Sequence, residues 1–299
     1  MQTPPLISIC IPVYKNVTFL QRLLQSLQEQ TFTNFEVVIT DDSPDEAIAD
    51  WLKIHFNDAR LRYFKNPLPL GTPENWNQAI RQATGQWIKL MHDDDWFAHA
   101  DALQQFFDAT VGNVAQFYFS NYCNVNVDDT SQAQSFSLPL WRWKHVEKAP
   151  HILYARNLIG APSVTMVSRD VVERYDGNMK WLVDIDYYIR VLLRAKAHHI
   201  PAALVNVGQS QQQVTQYTNN NPSVEVPEAL RLLHKLPGKP FRQWQYFDAW
   251  WRLLRNLNIT TTQQLRRYSL NASIAREIEC MMSFQKRVPK FTLRLGFCS

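Results

Sequence analysis

The chain has 299 residues, 45% hydrophobic and 12% aromatic, enough for one large domain, or a large and a small one, around a substantial core. Its 31 Lys and Arg against 27 Asp and Glu leave a net charge of +4, too even a balance to imply a nucleic-acid partner. Four scattered cysteines (Cys10, Cys123, Cys280, Cys298) form no C-x-x-C pair, and the sequence shows neither a secretory leader nor an apolar run of membrane-spanning length, so a disulfide scaffold, a zinc module and an integral membrane protein are set aside and a reducing cytoplasm is the expected home.

Leu6 to Val13 is a nearly continuous β-branched run, the pattern of a strand buried on both faces, with Pro12 expected to end its ladder because proline cannot donate. Tyr14-Lys15-Asn16 form a loop. Thr18 is placed to cap a helix whose residues Phe19, Leu20, Leu23, Leu24 and Leu27 recur at helical spacing. Phe35 to Thr40 is a second strand that stops on Asp41-Asp42-Ser43, followed by a helix near 44–57 and a short strand from Leu61 to Phe64. Thr72, Pro73 and Glu74 form a helix start, as N-cap, first residue and first-turn acid, and the helix ends at Gly85. Trp87 to Met91 is a fourth strand, and it stops abruptly on His92-Asp93-Asp94-Asp95.

Three adjacent carboxylates repel one another and are costly beside an apolar run unless a cation meets them. Hard divalent cations, Mg²⁺ or Mn²⁺, take such oxygens and keep positions open for phosphate; a solvated turn is the plainer alternative. The strand–helix alternation of the first hundred residues argues for a parallel sheet with helices on its faces, and ligands of such sheets bind beyond the carboxyl ends of the strands. Tyr14, Asp41, Asp42 and the 93–95 acids all belong to that edge. Neither G-x-G-x-x-G nor G-x-x-x-x-G-K-[ST] is present, which excludes the dinucleotide and P-loop fingerprints.

Further on, 115–120 and 164–168 read as strands, separated by a polar segment near 128–137 and by Leu140-Trp141-Arg142-Trp143-Lys144-His145. Those tryptophans suit either sugar faces or cation–π packing against Arg142. Trp181 to Leu193 has helical periodicity with Asp184 in its first turn, where the helix dipole favours a carboxylate. Ala203 to Val207 is a strand. The Gln/Asn-rich stretch from Gln209 to Asn221 is a loop expected to act as a lid, and helices follow near 226–236, 241–257 and 262–284. The basic and apolar tail, Lys286 to Leu295, reads as a solvated end or a peripheral contact with an anionic membrane.

The segments Ile9-Cys10-Ile11-Pro12-Val13-Tyr14-Lys15-Asn16, Gln30-Thr31-Phe32, Phe35 to Ser43, Asn75-Trp76-Asn77, Ala83-Thr84-Gly85 and Asp93-Asp94-Asp95-Trp96 stand in the order and spacing of the family 2 glycosyltransferases, and the N-terminal third resembles them strongly. The resemblance implies an α/β GT-A fold with a C-terminal helical region, and an inverting transfer of one sugar from a nucleotide sugar, UDP-linked by preference, to a glycan or lipid-linked acceptor. It implies donor contacts at Pro12, Tyr14, Asp42, Asn77, Asp93 and Asp94, with Tyr14 beside the base, Asp42 accepting from a base N–H, and Asp94 as ligand to Mn²⁺ or Mg²⁺. Asp41 is expected to support its loop. Counting back from Arg190 makes Asp184 the base, with Asp186 as rival because Val183 replaces one of the usual acid pair. His92 stands where the motif commonly opens with an acid, and reads either as a ribose or water contact or as an ordinary hydrogen-bonded histidine. Trp76 replaces a common arginine, which leaves Lys89, Arg190 or the metal to meet the diphosphate. The resemblance divides the chain into a nucleotide-sugar half at 1–97, an acceptor half at 98–210, and a loop with helices at 211–299. A nucleotidyltransferase and a non-catalytic glycan- or nucleotide-binding relative are the competing classes, although the Gly-rich basic loop of the former is absent after the first strand.

Overall fold

The computed structural model describes residues 5–112, 114–210, 220–268 and 274–287. Strands β1 (Ile7–Val13) and β2 (Phe35–Asp41) are buried along their whole length, as continuous apolar runs require. Between them α1 (Val17–Gln28) buries Leu20, Leu23, Leu24 and Leu27. Its cap is Asn16 rather than Thr18: the Asn16 side chain accepts from Phe19 N–H at 3.0 Å, three residues on, and leaves Thr18 inside the first turn. Helix α2 (Ala47–His55), β3 (Leu61–Lys65), α3 (Glu74–Gln82) and β4 (Trp87–Leu90) complete a wholly parallel unit in the order β3-β2-β1-β4.

Pro12 does not end β1. It sits within the strand opposite Thr40. Cys10 faces β4, accepting from Met91 N–H, and two residues on Pro12 faces the same way, beyond the last β1–β4 pair. Its missing N–H therefore takes nothing from the ladder with β2. Helix α3 begins at Glu74 with Pro73 in the cap position and no side-chain cap, one step later than the sequence suggests.

The second half adds β5 (Trp96–Phe97), α4 (Ala102–Thr110), β6 (Phe117–Asn126), β7 (Ala133–Phe136), α5 (Leu140–Lys148), β8 (Thr165–Ser168), α6 (Val183–Leu192) and β9 (Ala197–Gln209). The nine-stranded sheet runs β3-β2-β1-β4-β8-β6-β9-β5, with β7 beside β6. β8 is antiparallel to both β4 and β6, while β9 returns parallel to β6 and pairs antiparallel with β5. The turn between β4 and β5, which carries His92 to Asp95, is thereby held between one parallel strand and β9.

Helices α7 (Pro222–Lys235), α8 (Trp244–Asn256), α9 (Thr262–Arg266) and α10 (Arg276–Arg287) follow. The single helix expected over 262–284 is two, and 269–273 between them lie outside the described residues. α7 starts earlier than the periodicity suggests because Asn221 caps it, accepting from Ser223 N–H at 3.0 Å, with Pro222 at the first position. The expected lid is largely outside the described residues, as is the basic tail beyond Arg287. No helix among the described residues is long and apolar enough to cross a membrane. The Trp-Arg-Trp segment is helix α5, and it splits: Trp143 is buried against Phe119, ring centroids 4.6 Å apart, while Trp141 is exposed with Arg142 over its ring.

Candidate active site

β4 ends on an acid turn with three chemically distinct carboxylates. Asp93 accepts weakly from Tyr14 N–H at 3.5 Å, and burial, reinforced by the charge of Asp94, pushes its carboxyl up to about 7. Asp95 is 2% exposed; its Oδ1 accepts from Gly208 N–H at 2.9 Å, while the Ser163 hydroxyl lies near the carboxylate but leaves its Oδ2 with no hydrogen bond of good geometry. Burial and Asp94 together hold its carboxyl well above the usual range. Burial pulls the imidazole of His92 down, so the ring is neutral and free to act as a ligand; its Nε2 is unpartnered, and its Nδ1 lies 3.9 Å from Asp95 Oδ2. One ligand atom from each of His92, Asp94 and Asp95 falls within 4.8 Å of the others. Two carboxylates, a neutral imidazole and two buried orphan atoms are a donor set that fits a divalent cation such as Mn²⁺ or Mg²⁺, with the nitrogen leaning towards Mn²⁺.

The turn is locked from behind. Arg22 of α1 reaches the Asp94 carbonyl at 3.5 Å and lies over the Trp96 ring at 3.9 Å. A side chain at Gly208 would collide with that same carbonyl oxygen, so β9 can approach only with a glycine there. Lys89 is wholly buried beneath the turn, over the Phe106 ring and bonded to the Ser163 carbonyl; burial pulls its ammonium down to about 7.

At the ends of β1 and β2, Tyr14 is 52% exposed, its ring open to solvent, after which Lys15 adopts a left-handed backbone with φ 64° and donates from its N–H to Ser43 Oγ at 2.7 Å. Asp41 supports its loop, accepting from Ser43 N–H, Tyr63 Oη and Lys65 Nζ. Asp42 also faces protein: it accepts from Asn66 Nδ2 at 2.6 Å and from the N–H groups of Leu70 at 3.1 Å and Gly71 at 2.7 Å. Asn77 is buried, its amide exchanging two hydrogen bonds with the Tyr175 backbone at 2.8 and 2.9 Å.

In the second half of the chain, α6 carries Asp184 in its first turn. Asp184 accepts from Asn157 Nδ2 at 3.0 Å and from Ile185 N–H at 2.8 Å, and burial raises its carboxyl to about 6. Asp186 is fully buried, with one oxygen on Arg190 at 2.9 Å and the other on Lys235 at 2.7 Å. The segment from Asn157 to Ser163 joins the two sides: Asn157 holds Asp184, and Ser163 Oγ accepts from His92 N–H at 2.9 Å. Trp76 spans the same gap, 4.6 Å from the His92 ring and 5.2 Å from Tyr175. Asn157, Ser163, Gly208 and Arg22 escaped sequence reasoning because no local pattern marks them; each acts through a partner distant in the chain.

The model of glycosyl transferase family 2 matches residues 8–176, more than half the chain. The chain belongs to glycosyl transferase family 2. A Mycobacterium tuberculosis relative named only as the uncharacterized protein MT1568 is 31% identical over 67% of this chain and 66% of its own length. The putative colanic acid biosynthesis glycosyl transferase WcaA of Escherichia coli is 28% identical over 64% of this chain and 68% of its own. A Campylobacter jejuni enzyme named as a GalNAc(5)-diNAcBac-PP-undecaprenol beta-1,3-glucosyltransferase is 29% identical over 30% of each chain. Coverage of these curated relatives thus runs from about two thirds of their length down to under a third. Among solved structures, Staphylococcus aureus TarS 1–349 with UDP-GlcNAc superposes with a TM-score of 0.62 at 14% identity, covering 88% of this chain and 83% of that one. The mannosyltransferase PcManGT of Pyrobaculum calidifontis, with GDP-Man and Mn²⁺, gives 0.60 at 15% identity, covering 97% and 83%. At such identities these structures speak for the GT-A fold alone.

Three expectations drawn from the resemblance to family 2 need revision. Asn77 is committed to the Tyr175 backbone, so it fixes α3 to the loop before α6 instead of facing a donor. Lys89 is buried under the acid turn. Arg190 is spent on Asp186, Glu173 and the Arg174 carbonyl. Neither cation is free to meet a diphosphate. For Asp42 the structure makes a sharp expectation. Asp42→Ala would strand three donors of the 66–71 loop; the buried Asn66 amide costs about 1–3 kcal/mol when unmet, whereas Leu70 and Gly71 are exposed and water can meet part of their loss. Thermal unfolding of the nucleotide-free variant should therefore show a clear drop in Tm, alongside weaker UDP binding. A variant with wild-type Tm and weak UDP binding would assign Asp42 to the base alone.

Proposed function

We propose that this family 2 chain is a metal-dependent, inverting glycosyltransferase that moves one sugar from a nucleotide sugar, UDP-linked by preference, to a hydroxyl of a surface-glycan or lipid-linked acceptor. The observation that carries this reading is the convergence of His92, Asp94 and Asp95 at the carboxyl end of β4, tied through the 157–163 segment to Asp184, a carboxylate of raised pKa. Bound there, Mn²⁺ or Mg²⁺ would neutralise charge on a diphosphate leaving group. Tyr14 offers an exposed ring at the end of β1 for the base, and Asp93 stands beside it for the ribose or the metal. Asp184 is the base. It is held by Asn157 and its own helix N-terminus, and a value of about 6 leaves it ionised at neutral pH yet basic enough to take a proton. In the transfer, the acceptor oxygen forms its bond to C1 and gives its proton to Asp184. The bond from C1 to the diphosphate oxygen breaks on the far side, and the electron pair leaves with the nucleotide. Asp186, with both oxygens paired to cations, is a structural acid.

Support comes from what the relatives are named for: UDP-GlcNAc in one neighbour, GDP-Man with Mn²⁺ in another, and an undecaprenol-linked glycan in the name of a third protein. The free thiols of Cys10, Cys123 and Cys280 suit a reducing, cytoplasmic site of action. A thermal-shift panel of UDP-, GDP-, dTDP- and CMP-sugars, with and without Mn²⁺, tests the proposal. Ligand at about 100 times its dissociation constant stabilises by about 2.7 kcal/mol. The largest rise is expected for a UDP-sugar in Mn²⁺. A rise with a GDP-sugar instead would replace the donor, and no rise with any sugar nucleotide would overturn the reading.

A further inference from the structure

Helix α6 has no cap of its own. Its N-cap position is Leu182, which offers no side-chain acceptor. The segment that leads into the helix, ending on that N-cap residue, is tied instead by a carboxylate from a helix nearly fifty residues on. Glu228 of α7, 4% exposed, accepts from Lys180 N–H at 2.8 Å on Oε1 and from Trp181 N–H at 2.9 Å and Leu182 N–H at 2.8 Å on Oε2. Three consecutive backbone donors on one charged group make a strong, directional tie. Asp184 lies two residues beyond the last of them. The same helix grips the flanks of this segment: Arg231 and Lys235 pair with Asp176 at 2.6 Å each, and Lys235 also pairs with Asp186. α7 is itself seated by Val226, Ala229, Leu230 and Leu232, all buried. The anchor for the Asp184 backbone therefore lies in the C-terminal helices, outside the residues matched by the family model.

We infer that Glu228 is a positioning residue for sugar transfer: it clamps the three residues that lead into the Asp184 helix, the N-cap residue last, and fixes where that carboxylate stands, so that the C-terminal helices complete the active site. The inference rests on Asp184 being the base. Its physical content is that the backbone from 180 to 182, unlike an ordinary fraying helix start, is clamped on a packed helix. A displacement of about 1 Å at a catalytic group costs up to about 10²-fold in rate, so a modest slackening here is visible in turnover.

The test is a double-mutant cycle on the intact chain. Glu228→Gln keeps the shape, removes the charge and turns an N–H₂ towards groups that are themselves donors. Turnover is read as Mn²⁺-dependent release of UDP from UDP-GlcNAc with water as acceptor, UDP binding by calorimetry, and the 180–185 amides by hydrogen exchange. Glu228→Gln should speed exchange at 180–185, lower kcat by about 10–100-fold and move the UDP dissociation constant by less than about threefold. In an Asp184→Asn background the same substitution should change turnover by less than about twofold, because what it positions is gone. Glu228→Asp, which keeps the charge one methylene short, should recover part of the rate, and serves as the working variant if Glu228→Gln does not fold. Arg231→Gln, which leaves the three N–H bonds in place, should not reproduce the loss. Equal losses from Glu228→Gln in both backgrounds, or wild-type kcat when Asp184→Asn is inactive, would overturn the inference and leave the base intact. Full turnover by Asp184→Asn would instead overturn the base, and unchanged exchange at 180–185 would remove the clamp whatever the kinetics.

Discussion

Asp184→Asn is expected to lower turnover by about 10²–10⁴-fold while the dissociation constant of the nucleotide barely moves, as for loss of a general base. The amide keeps the shape of the side chain, and its oxygen still accepts from Ile185 N–H, but it cannot take a proton and its N–H₂ faces the Asn157 amide donor. The raised pKa adds a stability signature with a definite sign. Burial lifts Asp184 from an ordinary 3.8 to about 6, so the folded chain prefers the protonated acid. That preference favours folding below about pH 4 and is lost as the pH rises through 6, above which the buried charge is a cost. Asp184→Asn removes that cost. It should melt higher than the wild type at pH 7.5, by at most about 3 kcal/mol less the cost of the lost Asn157 bond, and no higher than it at pH 4. The acid limb of the wild-type rate profile should fall near pH 6, as the proton occupies the base. Asp186→Asn is the contrast: it leaves Arg190 and Lys235 without their shared partner, so it should melt lower. Full turnover by Asp184→Asn together with a dead but stable Asp186→Asn would reverse the two roles.

Strands β1 and β2 were legible because each is buried on both faces, and continuous β-branched runs such as Leu6 to Val13 have few other solutions; β3, half-buried at the sheet edge, was legible from its place in the strand–helix alternation. Their polar ends were legible too, since Tyr14, Asp41 and the 93–95 acids interrupt apolar runs at one edge. Side-chain direction at that edge was legible only in part. Asp41 supports its loop as expected, while Asp42 also turns inward, because the 66–71 segment closes over it. Asn77 read as a donor contact because its motif lies near the site, yet its helix face meets Tyr175. His92 was ambiguous in sequence; it takes its meaning from Asp94 and Asp95 beside it and from the unpartnered Nε2. Asp184 and Asp186 could not be told apart by spacing, and a lysine from α7 separates them. Each of these outcomes depends on a contact between segments far apart in the chain, which a local pattern does not encode.

Asp94→Ala is expected to abolish the Mn²⁺-dependent part of UDP binding, with a loss of more than about 100-fold, above the 10–100-fold typical for groups that merely support metal ligands. Among the three converging side chains its carboxylate has the fewest other duties. Asp95 is anchored to Gly208 N–H, and His92 brings no charge, whereas Asp94 presses electrostatically on both Asp93 and Asp95. A cation would relieve that pressure, and so would removal of Asp94. Two opposite effects should therefore appear in one variant. Without metal, Asp94→Ala should melt at or above the wild type at pH 7.5, because Asp93 and Asp95 no longer face a third charge. With Mn²⁺ the wild type should gain stability and the variant should not. His92→Ala removes only a neutral nitrogen, so it should weaken Mn²⁺ binding less than Asp94→Ala and keep the UDP response at saturating metal. Calorimetry of UDP binding with and without Mn²⁺, paired with melts in the same buffers, separates these outcomes. Unchanged Mn²⁺-dependent affinity in Asp94→Ala would take the metal away from this turn, since His92 and Asp95 already belong to the proposed donor set and cannot also stand in for the lost oxygen.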